Sequence, residues 1–468
     1  MMKNNRINIE EIFSHIEYSF PEHLEKSRNF VRQPSISATG YGIKDMAKLV
    51  ANEIELIGGT AEIVPTGGNP VVFGEIDVGA SRTILVYGMY DVQPVEGENW
   101  IVQPFAGEIV EMEPFGPCLV NRGIMNSKGP LIGFFCAMQS LKSVCGCFPV
   151  NLKFVIEGEE ELGSVSLSKF VEDHHDRLRA DAAFFPFYSQ DRNGKLIMYL
   201  GIKGMVFLDL EVRGGNWGAP TTRNVHAMNA GWFHSPAWPL VDSLSTMLSR
   251  DQKLILIDDI YDDVAPPSAE DLELLHGLSN SFDMNVPLKD NEVEHFKYKL
   301  TGEDLLRKFL FEPSLNIDGL YSGCPGEGMK TVLPHEAHAK IDIRLVPKME
   351  PNRVADQVRK HLSKRGFDCI EVKQNSASYP ASKGSLSDLA NNTLIKAYQC
   401  TGYQPEIWPL MAGAAPFYLF TQVLGMPLAI GGLGHGGRQH SPNEYATVEG
   451  MRLFEKSAAA FVALIGNE

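Results

Sequence analysis

Seven cysteines scattered over 468 residues are too few and too irregular for a disulfide framework. Cys145 and Cys147 lie too close together for a zinc knuckle, so reduced thiols are expected, as in a cytoplasmic protein. Nowhere do about 18 apolar residues run together, which excludes a membrane-spanning helix. The opening stretch, MMKNNRINIEEIF, is polar and charged and lacks the apolar segment of a secretory signal. Positive charge is scarce as well. Lys and Arg number 42 against 58 Asp and Glu, a net charge of -16, which argues against a phosphate-binding footprint and so against nucleic acid or anionic membrane as a partner. Internal repeats and low-complexity tracts are both missing.

The chain does have ample apolar mass, with 44% hydrophobic residues, and a length that suggests two or three domains. Short apolar runs at 61–64, 71–76 and 83–88 read as strands bounded by Gly and Pro. Ser127 to about Ser143 has helical spacing, and apolar runs follow at Leu152–Ile156 and Ala182–Phe185. That alternation predicts an α/β fold with a largely buried sheet. After about Lys203 the texture changes: MVFLDLEVRG and HAKIDIRLVP alternate like half-exposed strands around long helical stretches. From about Ser385 the first texture returns. The expectation is a discontinuous core, residues 1–202 and 381–468, with a smaller α+β domain inserted over 203–380.

Six segments then follow one another in a definite order: YGMYDVQP from Tyr87, NRGIMNSKGP from Asn121, EGEEELGS from Glu157, NVHAMNAGWFHSPAW from Asn224, GEGMKTVLPHEAHAKIDIRLVP from Gly326, and HSPNE from His440. Together they resemble the M20 family of di-metal aminopeptidases, dipeptidases and amidohydrolases over nearly the whole chain. The resemblance implies a phosphorylase/hydrolase-like catalytic core and a ferredoxin-like lid through which a homodimer forms. It also implies two zinc or manganese ions about 3.5–4 Å apart, joined by a bridging aspartate. In the family the first glutamate of the EE pair is the general base, and its neighbour is a metal ligand.

Carried over residue by residue, the resemblance puts Glu160 at the base, Glu161 at the ligand beside it and His440 at the C-terminal ligand. Met89 stands at the first histidine, Asn126 at the bridging aspartate, and Phe187, after Pro186, at a further acidic ligand, with Asp191 the nearby acidic alternative. Asp91 keeps the position that orients the lost histidine. His226 matches a histidine that polarises the scissile carbonyl, Arg344 an arginine for the substrate carboxylate, and Thr331 and Gly413 lie in matching substrate-side segments. His435 is extra, and a lone histidine in a Gly loop is expected to be solvated. Thioether, neutral amide and phenyl groups are poor partners for zinc or manganese. We therefore expect no tightly held cofactor and at most one weakly bound zinc or manganese on Glu161 and His440. The expected activity is binding of a small peptide-like or N-acyl amino-acid ligand, with two-metal hydrolysis replaced by metal-independent acid/base or acyl-transfer chemistry. A catalytically dead binding or scaffold protein and a one-metal dipeptidase are the alternatives.

Overall fold

The computed structural model describes residues 7–466; the first six residues of the polar opening stretch lie outside the described residues. The chain divides into two units, Met1–Leu200 with Gly384–Trp408 and Phe417–Glu468, and Gly201–Lys383 with Pro409–Pro416.

The first unit is built on six strands: β1 (Thr60–Val64), β2 (Val71–Ile76), β3 (Thr83–Met89), β4 (Asn151–Glu157), β5 (Ala182–Pro186) and β6 (Leu428–Gly431). Their spatial order is β1-β2-β4-β3-β5-β6. The pairs β4–β3, β3–β5 and β5–β6 are parallel, and β1–β2 and β2–β4 are antiparallel. Strands β3 and β5 are buried along nearly their whole length, which is why they read as unbroken apolar runs rather than alternating ones. Five long helices accompany the sheet: α1 (Ile9–Arg32), α2 (Ile43–Leu56), α3 (Lys128–Cys145), α4 (Leu389–Cys400) and α5 (Val448–Ile465). Helix α3 packs against α1 and α5, and α5 also packs against α4. Helix α3 is apolar nearly all round, as a helix enclosed by neighbours must be. Its start presses so closely on the preceding turn that a side chain at Gly129 would meet the Ile124 carbonyl at 1.9 Å, so only glycine fits there.

The second unit is an antiparallel sheet in the order Ser314–Ser322, Glu336–Leu345, Gly201–Arg213, Ile370–Gln374. In its long strand Val206, Leu208, Leu210 and Val212 alternate into the core. Helix Ala237–Met247 meets them with Leu240, Leu244 and Met247, and helix Pro351–Lys364 with Val354, Val358 and Leu362. The architecture is a mixed α/β catalytic-type core with an inserted α+β domain. One boundary differs from the sequence reading: 409–416 packs with the inserted domain, because Met411 and Ala414 pair with Ile202 and Lys203. Among the described residues all seven cysteines are unpaired, and no helix is long and apolar enough to cross a membrane.

Candidate functional site

Three parallel strands end together and set out the site. Register places Met89, the last residue of β3, opposite Glu157, the last of β4. The chain beyond β4 closes a short turn over Glu160–Leu162. Asp91, fully buried just past β3, fastens that turn: its Oδ1 accepts the Glu160 N–H at 3.2 Å and its Oδ2 the Glu161 N–H at 3.0 Å. Lys128 does not bind Asp91; its ammonium donates to the Val31 and Gln33 carbonyls at 3.2 and 2.8 Å.

Glu161, Asn126 and His440 come together. The Asn126 side-chain nitrogen donates to Glu161 Oε1 at 2.9 Å and lies 3.0 Å from His440 Nε2. His440 Nε2 lies 3.1 Å from Glu161 Oε2, which also accepts from Gln93 at 2.9 Å. His440 sits in the left-handed region, φ 57°, in the loop that turns it toward Glu161. The hydrogen bond to Glu161 raises the imidazole pKa above its ordinary value.

The remaining carboxylates are crowded. Tyr87 donates to Glu157 Oε1 at 2.5 Å and Ser164 to the same oxygen at 2.9 Å. Glu159 accepts from the Asn69 and Ser166 N–H groups. Burial pushes the Glu157 carboxyl up to about 8 against the opposing Tyr87 bond, and burial with the neighbouring Glu161 pushes Asp91 up to about 7. Glu160 is also raised well above its usual range, by burial first and then by Glu161, Asp91 and Glu157. Among the described residues no hydrogen bond engages the Glu160 carboxyl, whereas the carboxylates of Glu157, Glu159 and Glu161 each accept at least one, Glu157 through Oε1 alone. Burial lowers Lys128 to about 7.

Donor chemistry at the first metal position is poor. Met89 is 3% exposed and offers only a thioether, and Phe187 stacks on Phe185 with ring centroids 6.1 Å apart. Asp191 is engaged in its own turn, accepting the Asn193 and Lys195 N–H groups. The second position offers one carboxylate and one imidazole. Among the described residues, groups of three or more His, Cys, Asp or Glu donors within 4.8 Å of one another are His23–Cys136–Glu455 and Glu211–Glu336–His338, and neither contains Glu161 or His440. Of the residues that the resemblance sets at metal positions, Glu161 and His440 carry donors suited to zinc or manganese, and Met89 and Phe187 do not.

Four neighbours of the site escaped the sequence reading. Gln93 lies inside the YGMYDVQP run and Glu444 closes HSPNE, so both were in view without a role. Tyr87 opens the YGMYDVQP run and Ser164 closes EGEEELGS, and both donate to Glu157. Glu444 accepts the N–H groups of Gly123, Met125 and Asn126, each at 2.9 Å, and the Arg122 guanidinium at 3.1 Å. Glu444 therefore holds the 121–126 loop in which Asn126 sits. Replacing Glu444 with Gln puts an amide NH₂ among those donors beside a buried Arg122. We expect about 3 kcal/mol of lost stability, read as a lower urea midpoint at unchanged slope. His435 is only partly exposed and both ring nitrogens have protein partners: Nδ1 lies 2.9 Å from the Gln190 carbonyl and Nε2 3.0 Å from the Tyr445 hydroxyl, and its ring packs on Phe115.

In the inserted domain, His226 and Thr331 come together. The His226 Nε2 lies 3.3 Å from Thr331 Oγ1, while Nδ1 accepts the Met228 N–H at 3.1 Å. Arg344 donates from Nε to Asp342 at 2.8 Å, a bond that uses only one of its three nitrogens. Gly413 lies in the Met411–Ala414 strand of the same unit.

Residues 85–467 match the family described as Peptidase family M20/M25/M40. The chain belongs to that family. Beta-Ala-His dipeptidase of Mus musculus is 26% identical over 97% of this chain and 95% of its own length. The Cys-Gly metallodipeptidase DUG1 of Candida albicans is 25% identical over 94% and 93% respectively. The crystal structure of the M20 family metallo-carboxypeptidase Sso-CP2 from Sulfolobus solfataricus superposes with a TM-score of 0.87 at 30% identity, covering 96% of this chain and all of that one. The M20 fold and its dipeptidase-type relatives are thus established.

Proposed function

We propose that this M20 protein binds a small peptide-like or N-acyl amino-acid ligand and has lost two-metal hydrolysis, its site working instead by metal-independent acid/base or acyl-transfer chemistry. The uncommitted carboxyl of Glu160, beside positions that hold thioether, amide and phenyl groups, carries this reading. Glu160 gives and takes the proton at its Oε atoms. Asp91 fixes the turn that presents it, and Glu161 is held aside by Asn126, Gln93 and His440. The peptide-like ligand class follows the dipeptidases that the chain resembles.

In the inserted domain, His226 with Thr331 donates to the ligand's carbonyl oxygen and the terminal nitrogens of Arg344 take its carboxylate. Arg344→Lys keeps the charge and loses the fork. Calorimetric titration of a carboxylate-bearing dipeptide is expected to show binding about tenfold weaker, on the order of 1.4 kcal/mol. Equal affinity would mean that Arg344 serves only its bond to Asp342. Copies of the chain associate through the inserted domain, whose Met228, Trp232 and Trp238 are largely exposed.

One observation favours a second reading. Glu161, His440 and Asn126 converge within 3.1 Å, the arrangement a one-metal dipeptidase would need. Turnover of dipeptides and N-acyl amino acids, assayed with and without a chelator, separates the two readings. Turnover indifferent to chelator supports the metal-independent one. Brisk hydrolysis abolished by chelator and by Glu161→Gln overturns it in favour of the one-metal enzyme.

A further inference from the structure

Away from the candidate site, helices α1, α3 and α5 each send one potential ligand into their common core. His23 is 5% exposed, Glu455 2% and Cys136 fully buried. One donor atom from each lies within 4.8 Å of the others. We propose that His23, Cys136 and Glu455 form a binding site for a divalent transition-metal ion of the zinc or cobalt type. The proposal is independent of the reading given to Glu160 and its neighbours.

Donor chemistry selects the ion. One imidazole, one thiolate and one carboxylate suit a borderline cation of four-coordinate preference and disfavour magnesium or calcium, which take oxygen ligands. Charge balance agrees, since a dication neutralises the thiolate and carboxylate in a place where an unpaired charge is costly. Without a cation, burial and the nearby Glu455 hold the Cys136 thiol well above its ordinary pKa, so loading must release that proton to solvent.

A separate observation points into the same place. The Tyr188 hydroxyl is buried without a hydrogen-bond partner and lies in electrostatic reach of Glu455 and Cys136, as a fourth, oxygen ligand would. Ser27, one helical turn beyond His23, likewise has a buried hydroxyl without a hydrogen-bond partner. Access is short, because His23 itself lines a surface cavity with His15, Ser19, Gln139 and Lys142.

His23 Nδ1 and Glu455 Oε2 are 2.7 Å apart. Two ligands of a tetrahedral ion with bonds of about 2 Å sit about 3.3 Å apart, so loading needs only a small rotation of the imidazole. The competing account is a plain His–Glu bond tying α1 to α5, with Cys136 as packing.

Cobalt(II) titration of the full chain carrying Glu161→Gln, His440→Ala and His338→Ala, which removes donors from the candidate site and from the Glu211–Glu336–His338 group, distinguishes them. The expected result is one equivalent bound, with the thiolate-to-cobalt charge-transfer absorption that only a cysteine ligand gives. Cys136→Ser should abolish that absorption, and His23→Gln should weaken zinc binding by a hundredfold or more. Folded protein that shows no such absorption, or absorption that survives Cys136→Ser, overturns the site. If Cys136→Ser does not fold, the outcome rests on the absorption and on His23→Gln: unchanged zinc affinity in that variant overturns it equally.

Discussion

A chain carrying Met89→His, Asn126→Asp and Phe187→Asp together is expected to bind two zinc or manganese ions and to hydrolyse dipeptides at least a hundredfold faster than its parent, while each single variant gains little. The frame for those ligands is intact. Strands β3, β4 and β5 run parallel, so Met89 and Phe187 stand at or just past neighbouring strand ends, and Asp91 is already placed beside position 89. Asn126 already touches Glu161 and His440, at 2.9 and 3.0 Å, so an aspartate there would bridge without moving the loop that Glu444 holds. Incoming cations would also relieve the crowding of Asp91, Glu157, Glu160 and Glu161, which now oppose one another's charge. Non-additivity is the signature to seek. A bridging ligand has no use with one ion, and a second ion has no place without the bridge, so the three changes act as a unit. Metal content by elemental analysis and dipeptide turnover for the seven single, double and triple variants test this. A single variant as active as the triple would show that the ligand assignment is wrong.

Glu160→Gln in the wild-type frame is the second large effect. Turnover should fall by roughly a hundredfold or more with ligand binding nearly unchanged, because the amide keeps the shape and cannot exchange a proton. Its neighbours set the contrast. Glu157 is tied to Tyr87 and Ser164, and Glu161 to Asn126, Gln93 and His440, so Gln at either position disturbs a network and should show as a shift in stability. Glu160 lacks such ties among the described residues, so Glu160→Gln should change rate far more than melting temperature. Steady-state kinetics beside calorimetric binding check this. A protein that binds and never turns over would leave no rate to lose and would point to a scaffold role.

Most of the fold could be read in the sequence because buried parallel strands and apolar helices leave patterns of their own. The runs at 71–76, 83–88 and 182–185 and the helix from Ser127 fall on observed elements. The domain boundary near 409–416 could not be read, since MAGAAP carries no period and joins the second unit by pairing with Ile202 and Lys203. At the site, the structure sets Glu161, Asn126 and His440, singled out by the motifs, in contact with one another, yet the motifs hide what holds them. Glu444 bonds backbone N–H groups 318 to 321 residues away, and backbone amides leave no trace in residue spacing. His435 was misread for the same reason: a glycine-rich surrounding suggests solvent, whereas its partners are a carbonyl and a tyrosine from other segments.

The order of the six-stranded sheet bears on how the chain is made. Strand β6, which covers the edge of β5, and helix α5, which covers α3, both come from beyond residue 427. During synthesis, therefore, β5 waits with an unpaired, wholly apolar edge and α3 with a bare flank while the entire inserted domain is translated. At about 5–20 residues per second that delay lasts on the order of ten seconds or more. Nascent chains stalled before residue 428 should accordingly be held by chaperones that bind apolar segments, and released once α5 has left the ribosome.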